Sequence, residues 1–213
     1  MMEIVNNKEG RPLEHYSRLY SALDPAEAAE RCRTAFHAEE KEFELEFMGN
    51  VYRASFPGFD LRLTEKNTEL DCAEGDNAVK ILLMRYLIGG VMRAPGGRFI
   101  TYREAPWGEA YLRSFDGRCI KRLAFGYDRA REKFAPAMEL LGAKKISGGD
   151  EGYELRFMKG LYVRMLVWAG DDEFPPSSQI LFSDNFPSAF SAEDMAVVGD
   201  ICISAMKKAE AMI

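Results

Sequence analysis

Two strand-turn-strand patterns constrain the fold of this chain more than any other feature of its sequence. The segment 43–47, FELEF, alternates apolar and charged residues, which is the period of a half-buried strand. Gly49-Asn50 then suits a tight turn because both residues accept positive φ, and 51–56 returns as the partner strand. The segment 153–158 alternates in the same way, followed by Lys159-Gly160 and a returning arm over 161–169. We therefore predict two antiparallel hairpins.

The two hairpins resemble each other in sequence. Residues 43–53 align without gaps on residues 153–163, with five of the 11 positions identical. Each hairpin follows a helical pattern and precedes a Phe-Pro turn, a short strand (59–63 or 179–182) and a capped helix. The arm 161–169 is apolar on both faces except at Arg164, which is typical of a central strand.

These patterns predict an α+β fold made of two similar α-β-β-β-α halves with antiparallel hairpins, joined by a basic helical connector. Residues 1–213 are expected to form a single compact domain. Within it the predicted pseudo-repeats span about 24–90 and 128–211, and the connector spans 91–127.

Capping residues and apolar periodicity predict the helices. Asp24, Asp76, Asp128 and Ser191 each precede a helical pattern. The predicted helices are one before Leu23 and those spanning Pro25 to about Ala38, Asp76 to Ile88, Trp107 to Ala124, Asp128 to Gly142, and Ser191 to about Ala211. Thr101 and Glu104 have the spacing of a capping box, and Gly117 indicates an interruption in the connector helix.

The cysteine spacing disfavours a metal or cluster site. Cys32, Cys72, Cys119 and Cys202 are 40, 47 and 83 residues apart, whereas zinc and iron–sulfur motifs place thiolates two to four residues apart. With no apolar run after a basic N-terminal start and no membrane-spanning segment, we expect reduced, buried thiols in a cytoplasmic protein. No metal site is expected.

Residues for acid–base or nucleophilic catalysis are few. The chain has two histidines, so Ser-His-Asp and Cys-His mechanisms are poorly supplied, although carboxylates can also move protons. Asp171, Asp172 and Glu173 follow the apolar strand directly. Three carboxylates could hold a hard cation, but neighbouring residues of an extended segment point to opposite sides, which favours a solvated turn.

The charges are unevenly distributed. Residues 80–133 contain 12 basic and 5 acidic residues, while the rest of the chain has 16 basic and 29 acidic ones. The basic segment could attract anions, or it could be neutralised by packing between the acidic flanks. The candidate ligand-binding residues are Arg93, Arg98, Arg103, Trp107 and Arg118, because arginines bind carboxylates or phosphates and an aromatic ring can stack on a planar ligand. A sequence pI near 5.2 argues against nucleic acid.

Two motifs carry a resemblance to a known family. TYREAPWG at 101–108 and, more specifically, WAGDDEFPPSSQILF at 168–182 resemble the prokaryotic family catalogued as domain of unknown function 3786. The resemblance covers about residues 11–206. It implies occurrence in anaerobic bacteria and archaea, and some relatives are linked to an iron–sulfur-type cysteine cluster, which this chain lacks. It implies no activity and no catalytic residues.

Three functions remain open from the sequence. The first is a cytosolic binding protein for an anionic or planar small molecule or cofactor, such as a nucleotide or tetrapyrrole. The second is a non-catalytic accessory subunit that binds a protein partner. The third is an enzyme that uses the carboxylates of 171–173 with a basic partner such as Arg118. The sequence leaves the cofactor and the oligomeric state unknown, and predicts neither nucleic-acid nor membrane binding.

Overall fold

The computed structural model describes residues 10–213, which form an α+β fold around one antiparallel sheet. The strands are β1 (Ala35–His37), β2 (Glu42–Phe47), β3 (Asn50–Ser55), β4 (Leu61–Glu65), β5 (Phe99–Thr101), β6 (Lys144–Lys145), β7 (Glu151–Met158), β8 (Leu161–Trp168) and β9 (Ser177–Ser183). Their order across the sheet is β4-β3-β2-β7-β8-β9-β5, with β5 as a short edge strand, while β1 pairs with β2 and β6 with β7.

The helices agree with most of the sequence predictions. They are α1 (Gly10–Ser21), α2 (Pro25–Cys32), α3 (Asn77–Gly89), α4 (Gly108–Phe115), α5 (Lys121–Arg129), α6 (Arg131–Leu140), α7 (Phe186–Ala189) and α8 (Ala192–Glu210). Asp24, Asp76 and Ser191 accept hydrogen bonds from the first-turn amides of α2, α3 and α8, as the sequence predicted. No helix within residues 10–213 is both long and apolar enough to cross a membrane.

The end of α2, the end of α5 and the start of α6 differ from the prediction, since α5 continues to Arg129 rather than ending at Ala124. The helix α2 ends at Cys32 rather than near Ala38, because Arg33 adopts the left-handed conformation (φ 50°) and its amide bonds to the last turn. Residues 35–37 then form β1. Asp128 does not begin a helix: it lies in the last turn of α5, and α6 begins at Arg131 after Ala130, whose backbone is not helical (φ −145°, ψ 50°).

The first hairpin turns one residue earlier than predicted. Phe47 and Asn50 are the last paired residues, so Met48 (φ 48°) and Gly49 (φ 83°) form the two-residue turn. Asn50 begins β3 instead and is fully buried. Its Oδ1 accepts hydrogen bonds from the backbone amides of Asn67 and Thr68, at 2.8 and 2.9 Å, and these bonds fix the loop after β4.

The second hairpin turns at Lys159-Gly160, as predicted, and β8 is a central strand between β7 and β9. Its turn lies one position later in the alignment than that of the first hairpin, and a bulge between Arg156 and Met158 shifts the strand pairing once more. As a result Tyr52 pairs with Leu45 and is buried, whereas the identical residue Tyr162 pairs with Arg156 and is half-buried. Two of the five sequence identities are therefore not structurally equivalent, since Met48 is also a turn residue whereas Met158 ends β7.

The two meanders, β2-β3-β4 and β7-β8-β9, lie side by side in the sheet. They meet through antiparallel pairing of Phe47 with Met158, and each has a short preceding strand, β1 or β6, on its first long strand. This order fits the predicted α-β-β-β-α halves, but a common strand order does not establish a repeat. The internal duplication therefore stays a prediction.

The sheet packs its helices on one face. Burial alternates along β2 and β3, and the apolar residues of alternate positions join α3 and α8 in one contiguous core. The other face has ion pairs across neighbouring strands, including Arg53–Glu44 and Arg62–Glu42, each at 2.7 Å. This division into apolar and charged faces is usual for an antiparallel sheet with one covered face.

Candidate functional site

A groove of about 450 Å³ lies where the connector meets the far end of the sheet. We call it the aromatic groove. Its walls are formed by Thr101, Tyr102 and Arg103, by Leu112, Arg113, Phe115, Asp116 and Ile120 of the connector helix, and by Ser178, Gln179 and Ile180 of β9.

Tyr102 and Phe115 form the base of the aromatic groove. Their rings are stacked, with centroids 4.0 Å apart and planes inclined by 4°. The Tyr102 hydroxyl donates to the carbonyl of Ala192 at the start of α8 (2.8 Å). Burial raises the pKa of Tyr102 to about 12, so the hydroxyl stays protonated and donating at neutral pH. The base is thus anchored to α8 and belongs to the buried core, with 2% of each residue exposed.

The connector helix changes its winding at the aromatic groove. Residues Asp116–Ile120 form a π-helical turn between α4 and α5, at the position where Gly117 indicated an interruption. The hydroxyl of Ser178 donates to the carbonyl of Ile120 at 2.7 Å, which ties the turn to β9. Turns of this type occur often at functional sites because they widen the helix locally.

An open sheet edge forms the opposite wall. The short strand β5 pairs only with residues 181–183 of β9. Within the described part of the chain, no strand pairs with that edge of β9 at Ser178–Ile180. The groove therefore combines an apolar base with backbone donors and acceptors that have no ladder partner on this side, a combination that suits ligand binding.

Two arginines stand at the rim of the aromatic groove. Arg103 Nε lies 3.0 Å from Glu109, but both side chains are largely exposed, and such a surface pair is readily exchanged for another anion. Arg113 is exposed and forms no ion pair with any residue of 10–213. The rim can thus supply positive charge to a ligand whose apolar part lies in the groove.

The predicted ligand residues are only partly brought together. Arg103 lines the groove, and Trp107 lies in the link between the two segments that form its walls, with 81% of its surface exposed. Arg98 is next to Glu104 (3.5 Å), and the exposed Arg93 contributes its backbone carbonyl to Asn185 (2.8 Å). Arg118 points to α8, where its Nη2 lies 2.7 Å from Asp200.

Sequence reasoning missed Arg113 and the pairing of Tyr102 with Phe115. Arg113 is one polar residue on an amphipathic helix, with no local pattern that distinguishes it. Tyr102 and Phe115 are 13 residues apart and stack only because the chain turns back at Gly108, where a Cβ would lie 1.9 Å from the Tyr102 carbonyl oxygen. The glycine in TYREAPWG was the available signal.

The cysteines and Asp171, the other groups considered from the sequence, have structural roles. Burial raises the pKa of Cys32 to about 11 and those of Cys72 and Cys119 to about 12, so these thiols stay protonated at neutral pH. The Oδ1 atom of Asp171 accepts hydrogen bonds from the backbone amides of Glu173 and Phe174, at 2.9 and 2.7 Å, and so closes a turn.

Neither a metal site nor the proposed carboxylate–arginine pair is assembled in the part of the chain that the structure describes. Within residues 10–213, no three His, Cys, Asp or Glu side chains cluster to hold a metal ion. No ion pair in that range joins Arg118 to the segment 171–173.

The fold and the groove together define an α+β protein with a surface pocket at the edge of its sheet. Residues 24–205 match the family model described as Domain of unknown function (DUF3786). Because this match covers most of the chain, the protein belongs to that family. Searches of curated proteins and of solved structures gave no match.

Proposed function

We propose that this protein binds a small molecule that joins a planar apolar body to a negatively charged group, and that the aromatic groove is the binding site. One observation carries the proposal: an apolar base, Tyr102 stacked on Phe115, lies below a rim with two exposed arginines, Arg103 and Arg113. The body would pack on the half-buried Leu112 and Ile120 above the base, and the charged group would pair with the rim.

The size of the groove and the charge of the protein support a small ligand. A volume of about 450 Å³ is within the range of small-molecule sites. A sequence pI near 5.2 favours such a ligand over nucleic acid. Four buried free thiols support a reducing, cytoplasmic setting.

Titration with 8-anilinonaphthalene-1-sulfonate, a planar apolar anion, tests the proposal. We expect one saturable site, and Arg113→Glu should weaken binding about tenfold, or about 1.4 kcal/mol. The matched control is Arg93→Glu, which changes the net charge equally at an exposed arginine that does not line the groove. Equal losses in both variants, or no saturable binding to the wild-type protein, would contradict the proposal.

A second candidate, docking of a protein partner, is favoured by two exposed aromatic residues. Trp107 is 81% exposed and Tyr111 on the next turn is 50% exposed, and neighbouring exposed aromatic residues of this kind can form a contact surface for a protein partner. Native mass spectrometry of protein purified from its own cells separates the candidates. A polypeptide that is lost on Trp107→Ala and Tyr111→Ala, yet retained with Arg113→Glu, would support docking. A bound small molecule that Arg113→Glu removes would support the groove.

A further inference from the structure

A second pocket, also of about 450 Å³, lies between α5 and the C-terminal end of α8. We call it the cationic pocket. Its charged and aromatic lining consists of Lys121, Arg122, Phe125, Arg129 and Lys207, and no carboxylate lines it. None of these residues lines the aromatic groove, so the two pockets are separate sites on the connector.

The carboxylates around the cationic pocket do not balance its charge. Lys121 Nζ lies 3.2 Å from Asp116, and Lys207 Nζ lies 2.8 Å from Glu210. Arg129 has no carboxylate within 4.0 Å among residues 10–213.

The remaining acid is shared between two arginines. Asp200 on α8 accepts from Arg118 and from Arg122, so it neutralises one of the two charges. Together with Arg129, this leaves an excess of positive charge on one side of α5 within an acidic protein. Such a local excess attracts multiply charged anions.

The shape of the pocket places charge beside an aromatic face. The side chain of Lys207 reaches across from α8 to α5, where its Nζ lies 3.1 Å from the position of a Cβ at Gly126. The ring of Phe125, one residue earlier, is 45% exposed. A ligand could therefore contact cations from both helices while an organic group packs on Phe125.

We propose that the cationic pocket binds a phosphorylated small molecule, with its phosphate among Lys121, Arg122, Arg129 and Lys207 and its organic part on Phe125. A phosphate dianion suits this set because it presents several acceptor oxygens to guanidinium and ammonium donors. The proposal concerns a different pocket from the aromatic groove, and it does not depend on the function proposed for that groove.

Calorimetric titration with phenyl phosphate and inorganic phosphate tests this site. We expect phenyl phosphate to bind more tightly, and Arg129→Glu to weaken both at least tenfold. Phe125→Ala should weaken only phenyl phosphate, which separates stacking from charge. Arg129 and Phe125 are both exposed, and thermal unfolding of each variant checks that the fold is kept.

Arg93→Glu, at an exposed arginine that lines neither pocket, is the control for net charge and should leave phosphate binding unchanged. A loss in Arg93→Glu equal to that in Arg129→Glu would overturn the proposal, as would binding that is lost in Arg113→Glu and kept in Arg129→Glu, which would place it in the aromatic groove. It would also be overturned if Arg129→Glu lowered stability alone, as expected if the cations serve only the C-terminal ends of α5 and α8. Binding to vesicles of phosphatidylglycerol without binding of phenyl phosphate would assign the pocket to a membrane surface instead.

Discussion

Tyr102 and Phe115 stack face to face, with ring centroids 4.0 Å apart, although one residue precedes the connector helix and the other lies at the end of its first segment. The stack joins the edge of the sheet to α8, because the Tyr102 hydroxyl donates to the carbonyl of Ala192. The base of the aromatic groove is therefore also part of the protein core, and binding and stability are linked through it.

Substitutions of this pair should separate the hydrogen bond from the apolar base. Tyr102→Phe keeps the ring and removes one hydrogen bond, so we expect a loss of about 1 kcal/mol in the free energy of unfolding. Phe115→Ala removes a buried ring and should cost about 3–5 kcal/mol. Urea denaturation measures both. Tyr102→Phe should still bind 8-anilinonaphthalene-1-sulfonate, whereas Phe115→Ala should not. Loss of dye binding in Tyr102→Phe but not in Phe115→Ala would contradict the assigned base.

Two glycines of the connector should respond to alanine in opposite directions. At Gly108 a Cβ would lie 1.9 Å from the Tyr102 carbonyl oxygen, so the backbone must move, and we expect Gly108→Ala to lose at least about 2 kcal/mol. At Gly117 no heavy atom lies within 4 Å of the added carbon. Because the residue is helical, Gly117→Ala should gain about 0.5–1 kcal/mol. Thermal unfolding of the two variants checks the signs, and destabilisation by Gly117→Ala would show that the π-helical turn requires glycine.

Most helix starts and the two hairpins could be predicted because their signals are local. Asp76 and Ser191 cap the helices that follow them, and alternation in 43–47 marks β2. The end of α2 could not be predicted in this way, since Arg33 adopts a left-handed conformation that sequence patterns assign to glycine or asparagine. The same reason explains the turn at Met48, whose φ is also positive.

The candidate site could be predicted only in part because its walls are distant in sequence. The sequence located the basic connector and Arg103, yet β9 reaches the groove from about 60 residues beyond it through strand pairing with β5 and β8. Arg118 does not line the groove with Arg103, because the helical winding turns it to Asp200 on α8. A pattern of residue types does not record which face of the connector meets which element.

Two buried asparagines should differ sharply in their tolerance of aspartate. Asn185 donates its amide to the carbonyls of Arg93 and Gly160, each at 2.8 Å, so a carboxylate there faces two acceptors. Asn50 donates to one carbonyl, that of Leu70, and its oxygen accepts two backbone amides. A carboxylate at position 50 therefore keeps two favourable contacts.

We expect Asn185→Asp to cost about 3 kcal/mol or more at pH 7, and Asn50→Asp clearly less, about 1–2 kcal/mol. Denaturant titration of the two isosteric variants gives the comparison directly. Equal losses would mean that burial alone, rather than the number of facing carbonyls, determines the penalty.

The interaction of Asp128 with the loop after β8 should make stability depend on pH. Its Oδ1 accepts a hydrogen bond from the backbone amide of Gly170 at 3.0 Å and also pairs with Arg131. Both contacts hold the pKa of Asp128 below its ordinary value of 3.8, and the hydrogen bond from Gly170 has the larger effect. The contribution of the ionised Asp128 to the free energy of unfolding is therefore complete above the pKa of the unfolded state and is lost as the pH falls through the lower pKa of the folded state.

Asp128→Asn should be less stable than the wild type at pH 7, and the difference in the free energy of unfolding should shrink from about pH 4 downward. Denaturation at pH 7 and pH 3 measures this change, with Asp172→Asn as the control, since the exposed Asp172 forms no side-chain hydrogen bond or ion pair within residues 10–213. A difference between Asp128→Asn and the wild type that stayed constant over this range would assign the effect to packing rather than to the charge on Asp128.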